Sequence, residues 1–290
     1  MFSKMVSSRS FFAIVFGGVC VLPAIALGNA CVWKVSSPSG GTLYLGGSVH
    51  MLRSTDYPLP PEYSRAFDVS SKLVFEADPK ILSSVVKGFL KAGRYGKGDT
   101  LKNHVDPRTY DYLRRFFALQ KVPEEKFNML RPWFIVMLLE SPPREYIQLG
   151  VEAFLARRAQ ANSKAISGLE SLQEAMESYS GLSDRQSEAL LLVFFINAAR
   201  SDSDGIGQMM KAWRQGDAET LTHLAHGAYS DFPAMGERLL GARNRKWIPK
   251  IEGYLRSGQT YFVVAGAAHM GGSEGLLALL QARGYKVEQL

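Results

Sequence analysis

Two histidines are introduced by near-identical stretches at opposite ends of the chain. Thr42-Leu43-Tyr44-Leu45-Gly46-Gly47-Ser48-Val49-His50-Met51 is matched by Thr260-Tyr261-Phe262-Val263-Val264-Ala265-Gly266-Ala267-Ala268-His269-Met270. Each is an apolar, β-prone run, followed by a glycine three residues before a histidine, and then methionine. A buried strand ending in a glycine turn is how α/β proteins deliver a reactive group to a crevice. Gly47 and Gly266 let the backbone turn sharply and let another group approach closely. Of the five histidines, His104, His223 and His226 lack that glycine. The doubled motif predicts one site holding two imidazoles, His50 and His269.

Glu76 is the natural third member. It closes the apolar run Leu73-Val74-Phe75, so in a parallel strand its carboxylate reaches the same sheet edge as the histidines. A carboxylate ending a buried strand needs a partner: a histidine, a metal ion or, more plainly, a lysine or arginine. Two His and one Glu make an open site for a divalent ion such as Zn, Mn or Co, with a coordinated water that the ion acidifies. Arg243-Asn244, ahead of Trp247, could hold a substrate carbonyl, steady an oxyanion, or simply be solvated. Glu170 reads either as a helix-start acid or as a site residue. His223 and His226, with Glu219 one turn earlier, form a rival cluster on one helix face, although His226 also suits a helix end. The chain has no GxxxxGK or HExxH motif.

The elements that must position these groups fall in α/β order at both ends. Strands are expected at 32–36 and 42–45 around the Ser-Pro-Ser-Gly-Gly turn, a helix at 62–70, and a strand at 72–76. From about 80 to 252 the pattern is helical, with segments at 107–119, 123–139, 143–161 and 183–200 separated by Gly/Ser joints at 163–168 and 201–207. A strand at 261–265, a helix from 271–274 to 283 and a strand at 285–289 close the chain. The expected fold is α/β and mainly helical: a mixed sheet built from N- and C-terminal segments, with a large helical insertion between them.

The first thirty residues read as a signal peptide. Lys4 and Arg9 precede an apolar run from Phe11 to Leu27, and Gly28-Asn29-Ala30 offers small residues for cleavage. Residues 31–290 then form a single domain that is periplasmic or secreted, or anchored facing the periplasm if the segment is retained. Cys31 would be the first mature residue, which allows a lipid tether. The net charge of +7 is dispersed, which argues against a nucleic-acid partner.

Several of these stretches together resemble the TraB/GumN family, which includes the Tiki metalloproteases. They are Trp33-Lys34, Leu43 to His50, Leu73 to Glu76, Gly168-Leu169-Glu170, Arg243-Asn244 with Trp247, and Val263 to His269 running on to Glu288. The resemblance implies that both GxxH motifs and a glutamate share one pocket, and that the activity is metal-dependent cleavage of a peptide or protein. It places His50, His269 and Glu76 at the centre, with Arg243 and Asn244 supporting them; Glu76, if not a ligand, would instead be the general base, and Gly47, Gly266 and Glu170 are expected as further supporting residues. The expected function is an exported, metal-dependent, peptidase-like hydrolase. The alternatives are a metal-independent His/Glu hydrolase, as similarity to erythromycin esterases allows, and a non-enzymatic peptide- or envelope-binding protein.

Overall fold

The computed structural model describes residues 30–78, 82–140, 148–200 and 205–290. Its organising element is a six-stranded mixed sheet in the order β4-β3-β5-β2-β1-β6. The strands are β1 Val32–Ser36, β2 Thr42–Ser48, β3 Lys72–Ala77, β4 Ala165–Glu170, β5 Tyr261–Gly266 and β6 Lys286–Gln289. The four strands from β4 to β2 are mutually parallel, and β1 pairs antiparallel with both β2 and β6. The C-terminal ends of four parallel strands therefore share one edge.

Burial explains which run takes the centre. Tyr261, Phe262, Val263, Val264 and Ala265 of β5 are all buried, as a strand covered on both faces requires. On either face, helices present apolar stripes to the sheet. Pro61–Val69 buries Tyr63, Ala66 and Phe67, and its proline sits at the first turn, where no N–H is needed. Ala242–Arg256 buries Trp247, Ile248, Ile251 and Leu255. A second core, away from the sheet, gathers Leu113, Phe127, Trp133, Phe134, Leu191 and Met235.

The mainly helical α/β architecture and the sheet drawn from both chain ends are as expected. Several boundaries differ. The helical middle is interrupted by β4, where the Ser/Gly content of 163–168 suggested only a joint; Leu169 and Glu170 are buried, and β3 supplies the pairing partner that a local pattern cannot show. The 123–139 segment splits into Glu124–Phe127 and Pro132–Glu140, because Pro132 starts a new helix rather than continuing one. β2 runs on to Ser48, and the last helix begins at Leu276 rather than at the glycines.

Residues 1–29, which carry most of the expected signal peptide, lie outside the described residues, as do 143–147 of the expected 143–161 helix and 201–204 of one joint. Among the described residues, no helix is long and apolar enough to cross a membrane.

Candidate functional site

Walking along the shared edge, β4 ends at Glu170, β3 carries Glu76 one residue before its end, β5 leads through Gly266 to His269, and β2 leads to His50. Register makes this adjacency tight. Ala77 lies opposite Glu170, and Ser48 opposite Gly266. Gly47 is where the two GxxH segments touch: a Cβ there would lie 2.7 Å from Cys31 Sγ and 3.2 Å from the Ala267 backbone. Its carbonyl is held by the Trp213 indole N–H at 2.9 Å and by the Tyr63 hydroxyl. Gly266 likewise leaves room for Glu76, whose Oε1 would be 3.3 Å from an added Cβ.

Arg243 sits at the centre. Its Nη2 donates to Glu76 Oε2 and to Glu170 Oε1, each at 2.5 Å, and its Nε donates to Glu170 Oε1 at 3.0 Å. Its Nη1 lies 3.3 Å from His269 Nε2. Trp247 backs the guanidinium at 4.7 Å and donates its indole N–H to Glu170 Oε2 at 3.1 Å. A π-helical turn, Glu237–Gly241, immediately precedes the helix that carries Arg243. Such turns recur at functional sites because they displace side chains from regular α spacing.

His269 is 4% exposed and its Nδ1 lies 2.7 Å from Asn244 Oδ1. An amide oxygen only accepts, so the hydrogen-bond network assigns the proton to Nδ1 and leaves the Nε2 lone pair facing the site. That lone pair is 3.7 Å from Glu76 Oε1. Glu76 Oε1 also accepts the Gly266 N–H at 2.7 Å. Burial drives the His269 pKa down to about 4. Burial pushes Glu76 up, but His269, Arg243 and His50 outweigh it and bring it to about 2. His269 is neutral at pH 7, so Arg243 and, after it, His50 are the charges that hold Glu76 ionised there. The same two carboxylates raise the Arg243 pKa despite its burial.

His50 stands at the same edge, but its direct partner is Glu152, a residue that sequence reasoning missed. His50 Nδ1 is 2.9 Å from Glu152 Oε1, which also accepts the Ser48 hydroxyl at 2.5 Å. Glu152 raises the His50 pKa to about 9. The imidazole is 71% exposed, so water screens this pair more than the buried ones. Glu152 lies in the first turn of Val151–Ala161, where an acid reads as helix-dipole compensation. Its only further signal is Gly150, which packs directly on the His50 carbonyl.

The edge thus brings together Glu76, Glu170, Arg243, Asn244 and His269, with His50 beside them and tied to Glu152. Neither Arg243 nor Asn244 is a solvated surface group. For a divalent ion, the chemistry of His269 and Glu76 is suitable. Both are in their unprotonated, ligating forms at pH 7, and the second ring nitrogen of His269 is anchored as metal-bound imidazoles require. Their 3.7 Å separation is close to the roughly 3.4 Å expected of two ligands on one tetrahedral ion. His50 does not join them as a third donor, and among the described residues no group of three His, Cys, Asp or Glu is gathered for a metal. Glu219, His223 and His226 line a separate cavity.

Fold and site together define a mixed α/β protein whose carboxylates, arginine and histidine meet at the C-terminal edge of its parallel strands. The chain belongs to the TraB/PrgY/gumN family, whose model matches residues 31–289. No curated protein and no solved structure matches it.

Proposed function

We propose that this chain is an exported hydrolase acting on peptide bonds, and that the Glu76–Arg243–His269 cluster is its catalytic centre. The observation that carries this reading is the His269–Glu76 pair, oriented by Asn244 and Arg243. Pairs of groups held far from pKa 7 suit ligation and charge stabilisation better than proton shuttling. His269 and Glu76 would hold a divalent ion, with His50 as third donor once it leaves Glu152. Bound there, the ion would polarise a carbonyl and acidify water. Arg243 keeps Glu76 and Glu170 ionised and offers N–H donors to a developing oxyanion. Asn244 holds the His269 ring in one tautomer. Elemental analysis of the purified protein, with chelation and readdition of Zn, Mn or Co during peptide hydrolysis, tests this. Full hydrolysis by metal-free protein would remove the ion from the mechanism.

A second reading is favoured by the His50–Glu152 pair. An exposed imidazole held by a carboxylate can transfer a proton without any ion. Under that reading His50→Gln abolishes hydrolysis while metal content has no effect on it.

A further inference from the structure

Away from the sheet edge, His104 is held between two carboxylates that belong to different parts of the chain. Its Nδ1 lies 2.7 Å from Asp184 Oδ2, in the first turn of the Asp184–Arg200 helix. Its Nε2 lies 2.7 Å from Asp99 Oδ2, just ahead of the Leu101–Asn103 turn. An ionised carboxylate only accepts, so both ring nitrogens carry protons and the ring is an imidazolium. Burial of the ring opposes that charge, but the hydrogen bonds to Asp184 and Asp99 outweigh it and raise the His104 pKa. Asp99 is brought down to about 2, first by the Asn103 amide and then by His104. Tyr95 stacks on the imidazole at 4.1 Å, and Arg131 lies 4.8 Å from the Tyr95 ring and 3.7 Å from Asp184 Oδ1.

The same helical turn is fastened twice more. Glu188 Oε1 accepts the Asp106 N–H, and Ser187 Oγ accepts the buried Trp133 N–H, each at 2.9 Å. Carboxylates and guanidinium groups titrate far from neutrality, and burial takes the Tyr95 hydroxyl further from it. That leaves His104 as the group in this cluster whose charge changes just above neutral pH. Losing one of its protons sets a lone pair against a carboxylate oxygen at hydrogen-bond distance, so one of the two contacts must break. We propose that Asp99–His104–Asp184 is a proton-operated clasp that ties residues 95–106 to the first turn of the Asp184–Arg200 helix and opens when His104 loses a proton. Its stabilising share is complete below about 6.5 and is lost as pH rises through the raised folded value. Asp99 and Asp184 are 40% and 44% exposed, so water moderates the pairs and the opening is local rather than global.

The test is NMR of the full chain from about pH 6 to 9, reading the His104 ring and amide exchange corrected for its intrinsic pH dependence. Both ring nitrogens should be protonated at the acid end, and the ring should titrate above the ordinary value of about 6.5. Protection of the Asp106, Trp133 and Ser187 amides should fall at least about tenfold as it does. Asp99→Asn, at a half-exposed position, should move both changes together to lower pH. His104→Phe keeps a ring against Tyr95 and removes the proton, so protection there should be low and independent of pH. A ring that titrates at or below 6.5, protection that ignores its titration, or a fall that persists in His104→Phe would overturn the proposal. Should His104→Phe fail to fold, Asp99→Asn decides: a midpoint equal to wild type overturns it.

Discussion

Arg243 and Glu170 form the most heavily bonded ion pair at the sheet edge, with two guanidinium nitrogens on one carboxylate oxygen and the Trp247 indole on the other. The same guanidinium serves Glu76, so one cation holds two largely buried acids. Removing it by Arg243→Ala leaves both uncompensated. Such a loss costs about 3–5 kcal/mol, and urea unfolding of the variant should show a stability drop of that order. Arg243→Lys should recover only part of it, since an ammonium cannot reproduce the fork.

Asn244→Leu should destabilise by about 1–3 kcal/mol, because the His269 carbonyl, the Glu274 carbonyl and His269 Nδ1 all lose their partner. The same change should weaken metal uptake at the site, measured by equilibrium dialysis with zinc. Uptake equal to wild type would show that ring orientation is set elsewhere.

Acid should weaken the fold through His269. Its folded pKa is depressed to about 4, while the unfolded chain titrates near the ordinary value of about 6.5. As pH falls between those values the unfolded state gains a proton that the folded state refuses, so stability drops, by up to about 3 kcal/mol. Glu76 acts lower: its contribution is present above about 4.5 and is lost as pH falls towards 2. The urea midpoint should therefore fall from pH 7 to 4, and His269→Gln should flatten that pH dependence.

Glu152→Gln should lower the His50 pKa from about 9 towards its unperturbed value, as read by NMR titration of the ring protons. Stability gained from this pair is complete below about 6.5 and disappears as pH rises through 9. The variant should lose that alkaline dependence. A His50 pKa indifferent to Glu152→Gln would separate the two residues functionally.

Gly150→Ala places a methyl group on the His50 carbonyl, backbone against backbone, with no flexible side chain to yield. Expected is a loss of at least 1 kcal/mol, as overpacking typically brings, together with a displaced His50. A thermal melt and the His50 ring shifts report both.

Much of this was legible because strand and site share a signal. The apolar runs ending at Gly47, Glu76 and Gly266 give both the parallel strands and the groups they deliver, so Glu76, His269 and the edge itself followed from pattern. The Arg243 cluster was legible only as a motif; its place between Glu76 and Glu170 depends on how the Ala242–Arg256 helix packs on the sheet. Glu152 was hidden because an acid in a first helical turn has an ordinary explanation. β4 was hidden because Ala165-Ile166-Ser167-Gly168 becomes a strand only by pairing with β3.

The central position of β5 has a consequence for how this polypeptide comes into being. Residues 261–266 slot between β2 and β3, which leave the ribosome some two hundred residues earlier. Until that late segment emerges, two apolar strand edges have no neighbour, and Glu76 lacks the Gly266 N–H that completes it. Chains terminated before residue 260 should thus yield no smaller working version, only an open sheet prone to self-association.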